Sequence, residues 1–338
     1  MATRETLSNR ERFRRVLRFQ PVDRLPVNEW AAWWKLTTDR WHHEGLPEHL
    51  TDAFDIREYL GLDAHRQLWI SPRASTCPGP PGHGMPIIHD RDEYLAIKQH
   101  LYPDPAFNVE TIARWAEEQA SGEIAVWISL DGFFWYPRTL LGIREHLLAF
   151  YDQPDLMREM CEDLLEYNLR VVEQFCAVCV PDFMTFGEDM SYNHGPMISS
   201  VLFEQFLAPY YRRIVPDLRS RGITVFVDTD GDVTEAVRWY EDVGFEGFLP
   251  LERMAGVDVG GLRAGHPRLA MIGAFDKTVM HLGEARMREE FGRLLPVMRL
   301  GGFIVSCDHQ TPPEVSLQDY RLYVALLREY CTRAAQTQ

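Results

Sequence analysis

The chain has 338 residues, of which 46% are hydrophobic and 25% are charged, the composition of an ordinary globular protein. Its net charge of −15, with 35 Lys and Arg against 50 Asp and Glu, argues against a nucleic-acid partner, because phosphate binding requires a basic surface. No stretch reaches the roughly 18 apolar residues that a membrane-spanning helix requires, so membrane proteins are excluded.

The first twenty residues are rich in Arg and Glu and lack the apolar core of a signal peptide, so we expect a cytoplasmic protein. The cysteines are scattered rather than arranged as a disulfide framework, and this pattern predicts free thiols. They are Cys77, Cys161, Cys176, Cys179, Cys307 and Cys331. The CxxC pair at 176–179 precedes a predicted strand and therefore belongs at the N-terminal end of the sheet, away from a ligand site.

Helical periodicity over residues 6–19 predicts an N-terminal helix, which Pro21 ends. Short strands are predicted at 24–30 and 67–71. Residues 77–86, CPGPPGHGMP, are so dense in Pro and Gly that they predict a surface loop, either a lid over a site or an inert connection.

The rest of the chain alternates apolar runs typical of buried parallel strands with helical segments. These strands are predicted at 124–130, 182–187, 223–227, 247–251, 269–273 and 302–306. Eight strands alternating with helices indicate an α/β fold, a (β/α)8 TIM barrel with an N-terminal helical extension, formed by 1–338 as a single domain. A doubly wound open sheet is the alternative, but no GxGxxG turn follows the first strand.

Acidic residues follow most of the predicted strands, at the end of a barrel where ligands bind. This mouth is expected to present Glu29, Asp131, Glu188, Asp189, Asp228, Asp230, Glu252, Asp276, Lys277, Cys307 and His309. So many acids repel one another unless their pKa values rise, basic residues pair with them, or a cation binds. For any single acid, a helix cap or a salt bridge is an equally good interpretation.

A metal site is one interpretation of these strand ends. The predicted ligands are Glu188, Asp230 or its neighbour Asp228, Cys307 and His309, a mixture of carboxylate, thiolate and imidazole that suits zinc better than magnesium. The ligands come from different strands, and no short motif such as HExxH supports them.

Several stretches resemble the uroporphyrinogen decarboxylase superfamily. They are NRERFRRVLRFQPVDRLPVNEW, FGEDMSYNHGPMIS, VDTDGDV, LPLERMAGVDV, RLAMIGAFDK and GGFIVSCDHQTPPEVSLQDYRLYVALLREY. The resemblance covers nearly the whole chain and implies a (β/α)8 barrel with its active site at the strand C-termini. The chain departs from the decarboxylases themselves, because NEWAAWWK stands where they carry an RQAGRY-like segment with substrate-binding arginines.

The resemblance is strongest to the branch that contains corrinoid-dependent methyltransferases. Coenzyme M methyltransferases of this superfamily bind zinc through an HxC pair and a later cysteine; here Asp228-Thr229-Asp230 stands at the HxC position and Cys307 at the later one. This replacement points to the methyl-donor side, an O-demethylase or a related enzyme. It would demethylate a small methoxylated aromatic or methylamine-type donor and pass the methyl group to a separate corrinoid protein, since a DxHxxG cobalamin motif is absent.

The resemblance implies residue roles at the mouth. The expected catalytic residues are Glu188, Asp228, Asp230, Lys277 and His309, and the expected substrate-binding residues are Trp30, Trp34, Phe134, Tyr192 and His194. Tryptophans grouped as here are more often core than ligand-binding residues. A zinc ion and a corrinoid (cobalamin) on a partner protein are the expected cofactors, and a homodimer is left open. The alternatives are a carboxy-lyase acting on a small acid through Lys277 and His309, and a non-catalytic binding relative.

Overall fold

The computed structural model describes residues 6–336, so that residues 1–5 and 337–338 of the predicted 1–338 domain lie outside the described part of the chain. The strands are β1 His65–Ile70, β2 Ala125–Asp131, β3 Phe183–Gly187, β4 Ser191–Tyr192, β5 Gly195–Pro196, β6 Thr224–Asp228, β7 Gly247–Leu249, β8 Ala270–Phe275 and β9 Phe303–Cys307. The helices are α1 Asn9–Leu17, α2 Lys35–His43, α3 Ala53–Tyr59, α4 Arg91–Ile97, α5 Val109–Ser121, α6 Trp135–Leu141, α7 Ile143–Asp152, α8 Pro154–Cys176, α9 Ser200–Phe206, α10 Ala208–Ser220, α11 Ala236–Asp242, α12 Val259–Gly265, α13 Glu284–Met298 and α14 Leu317–Ala335.

Seven strands form one parallel sheet in the order β1-β2-β3-β6-β7-β8-β9, and helices connect most of them. Each strand pairs with the next strand of the sheet, as expected for right-handed strand–helix–strand units. Most strand residues are fully buried, because helices cover one face and side chains fill the other. The predicted TIM-barrel-like α/β fold is confirmed.

The predicted strand at 24–30 does not form, although its apolar residues are buried. Pro26 has no N–H group, the N–H of Leu25 donates to the carbonyl of Cys331 in α14, and that of Val27 donates to the carboxylate of Asp63. The backbone N–H groups of Leu25 and Val27 therefore form their hydrogen bonds outside the sheet. The prediction of eight strands was wrong at this one position.

This first segment nevertheless lies between the two edge strands of the sheet and contacts both. Asn28 Nδ2 lies 2.9 Å from Nδ1 of His65, the first residue of β1. The indole N–H of Trp30 donates to the carbonyl of Cys307, the last residue of β9, at 2.7 Å. Side chains thus connect the edges that an eighth strand would have joined through its backbone.

Other predictions hold. The N-terminal helix is α1, which Ser8 caps, and residues 77–86 contain neither helix nor strand. The six cysteines are free thiols. Helix α2 begins at Lys35 and therefore contains Trp41, whereas Trp30, Trp33 and Trp34 precede it. No helix in the described part of the chain is long and apolar enough to cross a membrane.

A buried carboxyl group at Glu29 joins the first segment to the end of the chain. Its oxygens accept hydrogen bonds from the N–H of Cys307 at 3.2 Å and from the hydroxyls of Tyr320 and Tyr323 at 3.4 Å each. Burial raises the pKa of Glu29 from 4.5 to about 7. The folded protein therefore retains a proton here that the unfolded chain loses at lower pH.

Glu29→Gln should flatten the dependence of stability on pH. The raised pKa gives the folded state a stabilising contribution that is complete below pH 4.5 and is lost as the pH rises to about 7, at most about 3 kcal/mol. Urea unfolding at pH 5 and pH 8 should show a smaller difference in free energy for the variant than for the wild type. Glu48→Gln, at an exposed position, is the control and should behave like the wild type. An identical pH dependence in Glu29→Gln would contradict the buried proton.

Candidate functional site

A cavity of about 380 Å³ lies at the C-terminal ends of the strands, where enzymes of this architecture bind their ligands. It is lined by Trp30, Ala31, Ala32, Gln67, Trp69, Trp135, Gly187, Glu188, Asp189, Asp228, Asp230, His309 and Gln310. A larger cavity of about 870 Å³ lies at the opposite end, against α1 and the start of β6. Residues at that end of a barrel serve stability, so the smaller cavity is the candidate site.

The register of the sheet places acids at the ends of neighbouring strands in one row. Asp131 at the end of β2 lies opposite Gly187 of β3, and Gly187 lies opposite Asp228 of β6. Directly paired residues of neighbouring strands project to the same face of the sheet. Asp131 and Asp228 therefore flank the position of Gly187, and Glu188 follows it.

Glu188 is fully buried and its carboxylate accepts four hydrogen bonds. The donors are the backbone N–H groups of Phe134 at 2.8 Å and Trp135 at 3.0 Å, and the hydroxyls of Tyr211 and Tyr240. Burial raises its pKa to about 7, against the lowering effect of these donors. Because its oxygens are already engaged, Glu188 positions the site and does not join the predicted metal-ligand set.

Asp228 and Asp189 also line the cavity, but their carboxylates receive less stabilisation from hydrogen bonds than that of Glu188. No side chain or backbone group of the described residues donates a hydrogen bond to the Asp228 carboxylate, and burial, reinforced by Asp230 and Asp189, raises its pKa well above its usual value. Burial also raises the pKa of Asp189 to about 6. Asp189 has a φ of +44°, and Arg138 donates to its carbonyl oxygen at 2.8 Å, which holds this unusual backbone conformation.

Asp230, Glu252 and His309 form a compact group whose potential ligand atoms all lie within 4.8 Å of one another. Nε2 of His309 lies 3.5 Å from Oδ2 of Asp230, and the hydrogen bond to Asp230 raises the pKa of His309. Burial raises the pKa of Glu252, whose Oε2 accepts the N–H of Gly231 at 2.9 Å. One imidazole and two carboxylates are a donor set that zinc accepts.

The predicted thiolate ligand is not part of this group. Cys307 is buried, and its Sγ lies against Sδ of Met280 and Oγ1 of Thr311, at 4.0 and 3.7 Å. Of the predicted ligands, the structure brings Asp230 and His309 together, places Glu188 and Cys307 outside this group, and adds Glu252, which the predicted set omits. The sequence does indicate Glu252, because this residue directly follows the LPL segment and is among those expected at the mouth.

Lys277 lies beside the cavity but does not line it. Its Nζ lies 3.2 Å from Oδ1 of the fully buried Asp308, whose other oxygen accepts the N–H of Arg253. The charge of Lys277 is therefore balanced by Asp308, a residue that the sequence did not single out. Of the pair expected for a lyase, Lys277 is thus paired with Asp308 and His309 with Asp230.

The predicted substrate-binding residues are mostly placed elsewhere. Trp30 lines the cavity, whereas Phe134 is fully buried against His146, with ring centroids 4.6 Å apart. Trp34 is 48% exposed and lies outside the cavity lining. Trp69 was missed, because only the fold brings it to the same cavity as Trp30 and Trp135.

Tyr192 and His194 do not line the cavity either. They lie on the hairpin of β4 and β5, where their rings contact each other with centroids 5.7 Å apart. Both side chains are exposed. The hairpin packs closely onto Gly231, where an added Cβ would lie 2.6 Å from the backbone nitrogen of Tyr192.

A parallel α/β sheet with acids, an imidazole and indoles at its strand C-termini defines a TIM-barrel-like protein with a small-molecule site. The sequence model of the family described as Uroporphyrinogen decarboxylase (URO-D) matches residues 108–330, more than half of the chain. The protein belongs to this family, and the resemblance stated from its motifs is confirmed. No curated protein matches the sequence.

Two solved structures similar to this chain are methionine synthases. A putative vitamin-B12 independent methionine synthase from Listeria monocytogenes has a TM-score of 0.44 and 10% identity, over 94% of this chain and 97% of that one. A B12-independent methionine synthase from Shewanella sp. W3-18-1 has a TM-score of 0.44 and 13% identity, over 68% of this chain and 66% of that one.

Zinc binding should depend on Glu252 and not on Cys307. Glu252→Gln and Asp230→Asn each remove one of the clustered donors and should lower bound zinc at least about tenfold, measured by elemental analysis after dialysis against a fixed free zinc concentration. Cys307→Ala is the matched comparison and should retain zinc. Loss of zinc in Cys307→Ala together with retention in Glu252→Gln would restore the ligand set predicted from sequence.

Gly132→Ala should disrupt the hydrogen bonds that hold the carboxylate of Glu188. A Cβ at Gly132 would lie 2.3 Å from Cδ and Oε2 of Glu188, so the carboxylate must move away from its donors. We expect a loss of about 1–3 kcal/mol in the free energy of unfolding, measured in urea. Gly292→Ala, in α13 with open space around the new methyl group, is the control and should leave stability equal or slightly higher. Equal stability of the two variants would contradict this close packing.

Proposed function

We propose that this protein is a methyltransferase that demethylates a small donor, of the methoxylated-aromatic or methylamine type, and transfers the methyl group to a separate corrinoid protein. The proposal is carried by one observation, the cluster of Asp230, Glu252 and His309 at the rim of an aromatic cavity that also contains Asp228. Membership of the Uroporphyrinogen decarboxylase family and the Asp228-Thr229-Asp230 segment support it.

The proposed function implies a metal ion and a corrinoid. Asp230, Glu252 and His309 would hold a zinc ion, since their donor atoms converge and match the ligands that zinc accepts. The metal would supply Lewis-acid polarisation of the donor heteroatom, and a corrinoid from the partner would supply the methyl acceptor. The cavity mouth, at the open end of the sheet, is the surface on which such a partner would dock.

The residues of this chain contribute binding, orientation and proton placement. The indoles of Trp30 and Trp135 enclose the donor and exclude water from its heteroatom. For an ether, a protonated carboxyl group of Asp228, which its raised pKa favours, is placed to give a hydrogen bond to the departing oxygen. For a methylammonium, the ionised carboxylates face the positive nitrogen.

A carboxy-lyase acting on a small acid has less support. A carboxylate substrate requires a basic residue in the cavity, and among the described residues no Lys or Arg lines it. Lys277 is balanced by Asp308. A non-catalytic binding relative would keep the cavity without methyl transfer, and the assay below separates this alternative.

Methyl transfer to a reduced corrinoid protein, or to free cob(I)alamin, should occur with at least one member of a panel of methoxyarenes and methylamines, followed as loss of the Co(I) absorbance. Asp228→Asn should lower the rate at least about tenfold, because the cavity loses its uncompensated carboxyl group. Asp152→Asn, at the exposed end of α7, is the control and should keep the wild-type rate. Absence of transfer from every donor to either acceptor would contradict the proposed function.

A further inference from the structure

Three indoles form the walls of the mouth cavity: Trp30, Trp69 and Trp135. The protein itself fixes two of them through their only polar atom. The N–H of Trp30 donates to the carbonyl of Cys307 and that of Trp69 donates to the carboxylate of Asp131, both at 2.7 Å. These two indoles therefore offer the ligand only their ring surfaces, which carry negative π density and no hydrogen-bond donor.

The position of Trp69 depends on a glycine in the sheet. An added Cβ at Gly187 would lie 2.4 Å from Cη2 and 2.5 Å from Cζ2 of the Trp69 ring. The ring thus fills the place of the missing side chain, between the positions of Asp131 and Asp228 on the two neighbouring strands. The ring of Trp69 is thereby held next to the carboxylate of Asp228, which receives no hydrogen bond from the described residues.

The charges that line this cavity are unbalanced. Four carboxyl groups face a single imidazole, that of His309, and no Lys or Arg lines the cavity within residues 6–336. Glu188 is satisfied by its four donors, and Asp230 contacts His309. For Asp228, the described residues provide no hydrogen bond and no neighbouring positive charge, so its natural counter-ion would come from the ligand.

Two cationic side chains beside the cavity interact with other groups. Arg138 lies over the ring of Trp135, 5.1 Å from the centroid, and donates to the backbone carbonyl of Asp189. Lys277 pairs with Asp308. Two positive charges are thus held beside the cavity without neutralising the carboxyl group of Asp228.

We infer that the methyl donor bound here is a methylated ammonium cation, a tertiary or quaternary amine, rather than a methoxylated aromatic. The inference rests on the proposed function and chooses between its two donor classes. Aromatic rings attract such a cation through their faces, and a carboxylate supplies the counter-charge. A quaternary nitrogen has no N–H to donate, which agrees with the ring faces of Trp30 and Trp69, whose own N–H groups are used within the protein. A neutral methoxyarene would leave the carboxylates unpaired, and an aromatic acid would be repelled.

This donor also fits the balance of the transfer. The C–N bond would break with its electron pair remaining on nitrogen, and a reduced corrinoid on the partner would supply the pair for the new bond to the methyl group. The ammonium leaves as a neutral amine, so this step needs no proton from the cavity.

Choline and 3,3-dimethylbutan-1-ol test the inference, because they have the same shape and differ in charge. Isothermal titration of the intact protein should show choline binding at least about tenfold more tightly than the neutral isostere. Asp228→Asn and Trp69→Phe should each lower the affinity for choline at least about fivefold, whereas Asp152→Asn should leave it unchanged. Equal affinities of the two compounds, tighter binding of 4-methoxyphenol than of choline, or failure of both choline and tetramethylammonium to bind would overturn the inference.

The binding experiment is independent of any corrinoid partner. If choline binds selectively and no methyl group reaches a corrinoid, the proposed methyltransferase function fails while the cation site stands. If methyl transfer occurs from methoxyarenes and choline does not bind, the function stands and the cation inference fails.

Discussion

The mouth of the sheet is organised by one buried carboxylate, that of Glu188, and by the four donors that meet it. Two donors are the first N–H groups of α6, and the others are hydroxyls on α10 and α11. A carboxylate at a helix N-terminus is favoured by the helix dipole as well as by the hydrogen bonds. Three helices and the end of β3 are therefore fixed relative to one point, and the cavity residues Trp135 and Asp189 are its immediate neighbours.

Much of this arrangement could be predicted from sequence, because the carboxyl ends of parallel strands meet at one edge. Seven of the eight strands form where apolar runs predicted them, within the part of the chain that the structure describes. For the same reason Asp228, Asp230 and His309 lie at one cavity, although they are far apart in the chain. The periodicity of side chains in strands and the position of strand ends are local properties, and local properties are what a single sequence carries best.

What could not be predicted depends on the direction of individual side chains. Cys307 and His309 are two residues apart, yet only His309 reaches Asp230, because the thiol turns toward Met280. The segment at 24–30 is apolar like a strand, but Asp63 and α14 receive its donors. Such hydrogen bonds connect residues distant in sequence and have no local signature.

Two cations of different kinds, bound together, would balance the negative charge at the mouth of the sheet. Without any cation, burial and mutual repulsion raise the pKa values of Asp189 and Asp228, and this lowers the negative charge of the cavity. A metal ion held by Asp230, Glu252 and His309 would favour the ionised form of nearby carboxyl groups. Asp228, on the aromatic side, would then be a carboxylate ready for an organic cation. In this arrangement the rim carboxylates would hold the metal ion, and the carboxylate beside Trp69 would hold the organic cation.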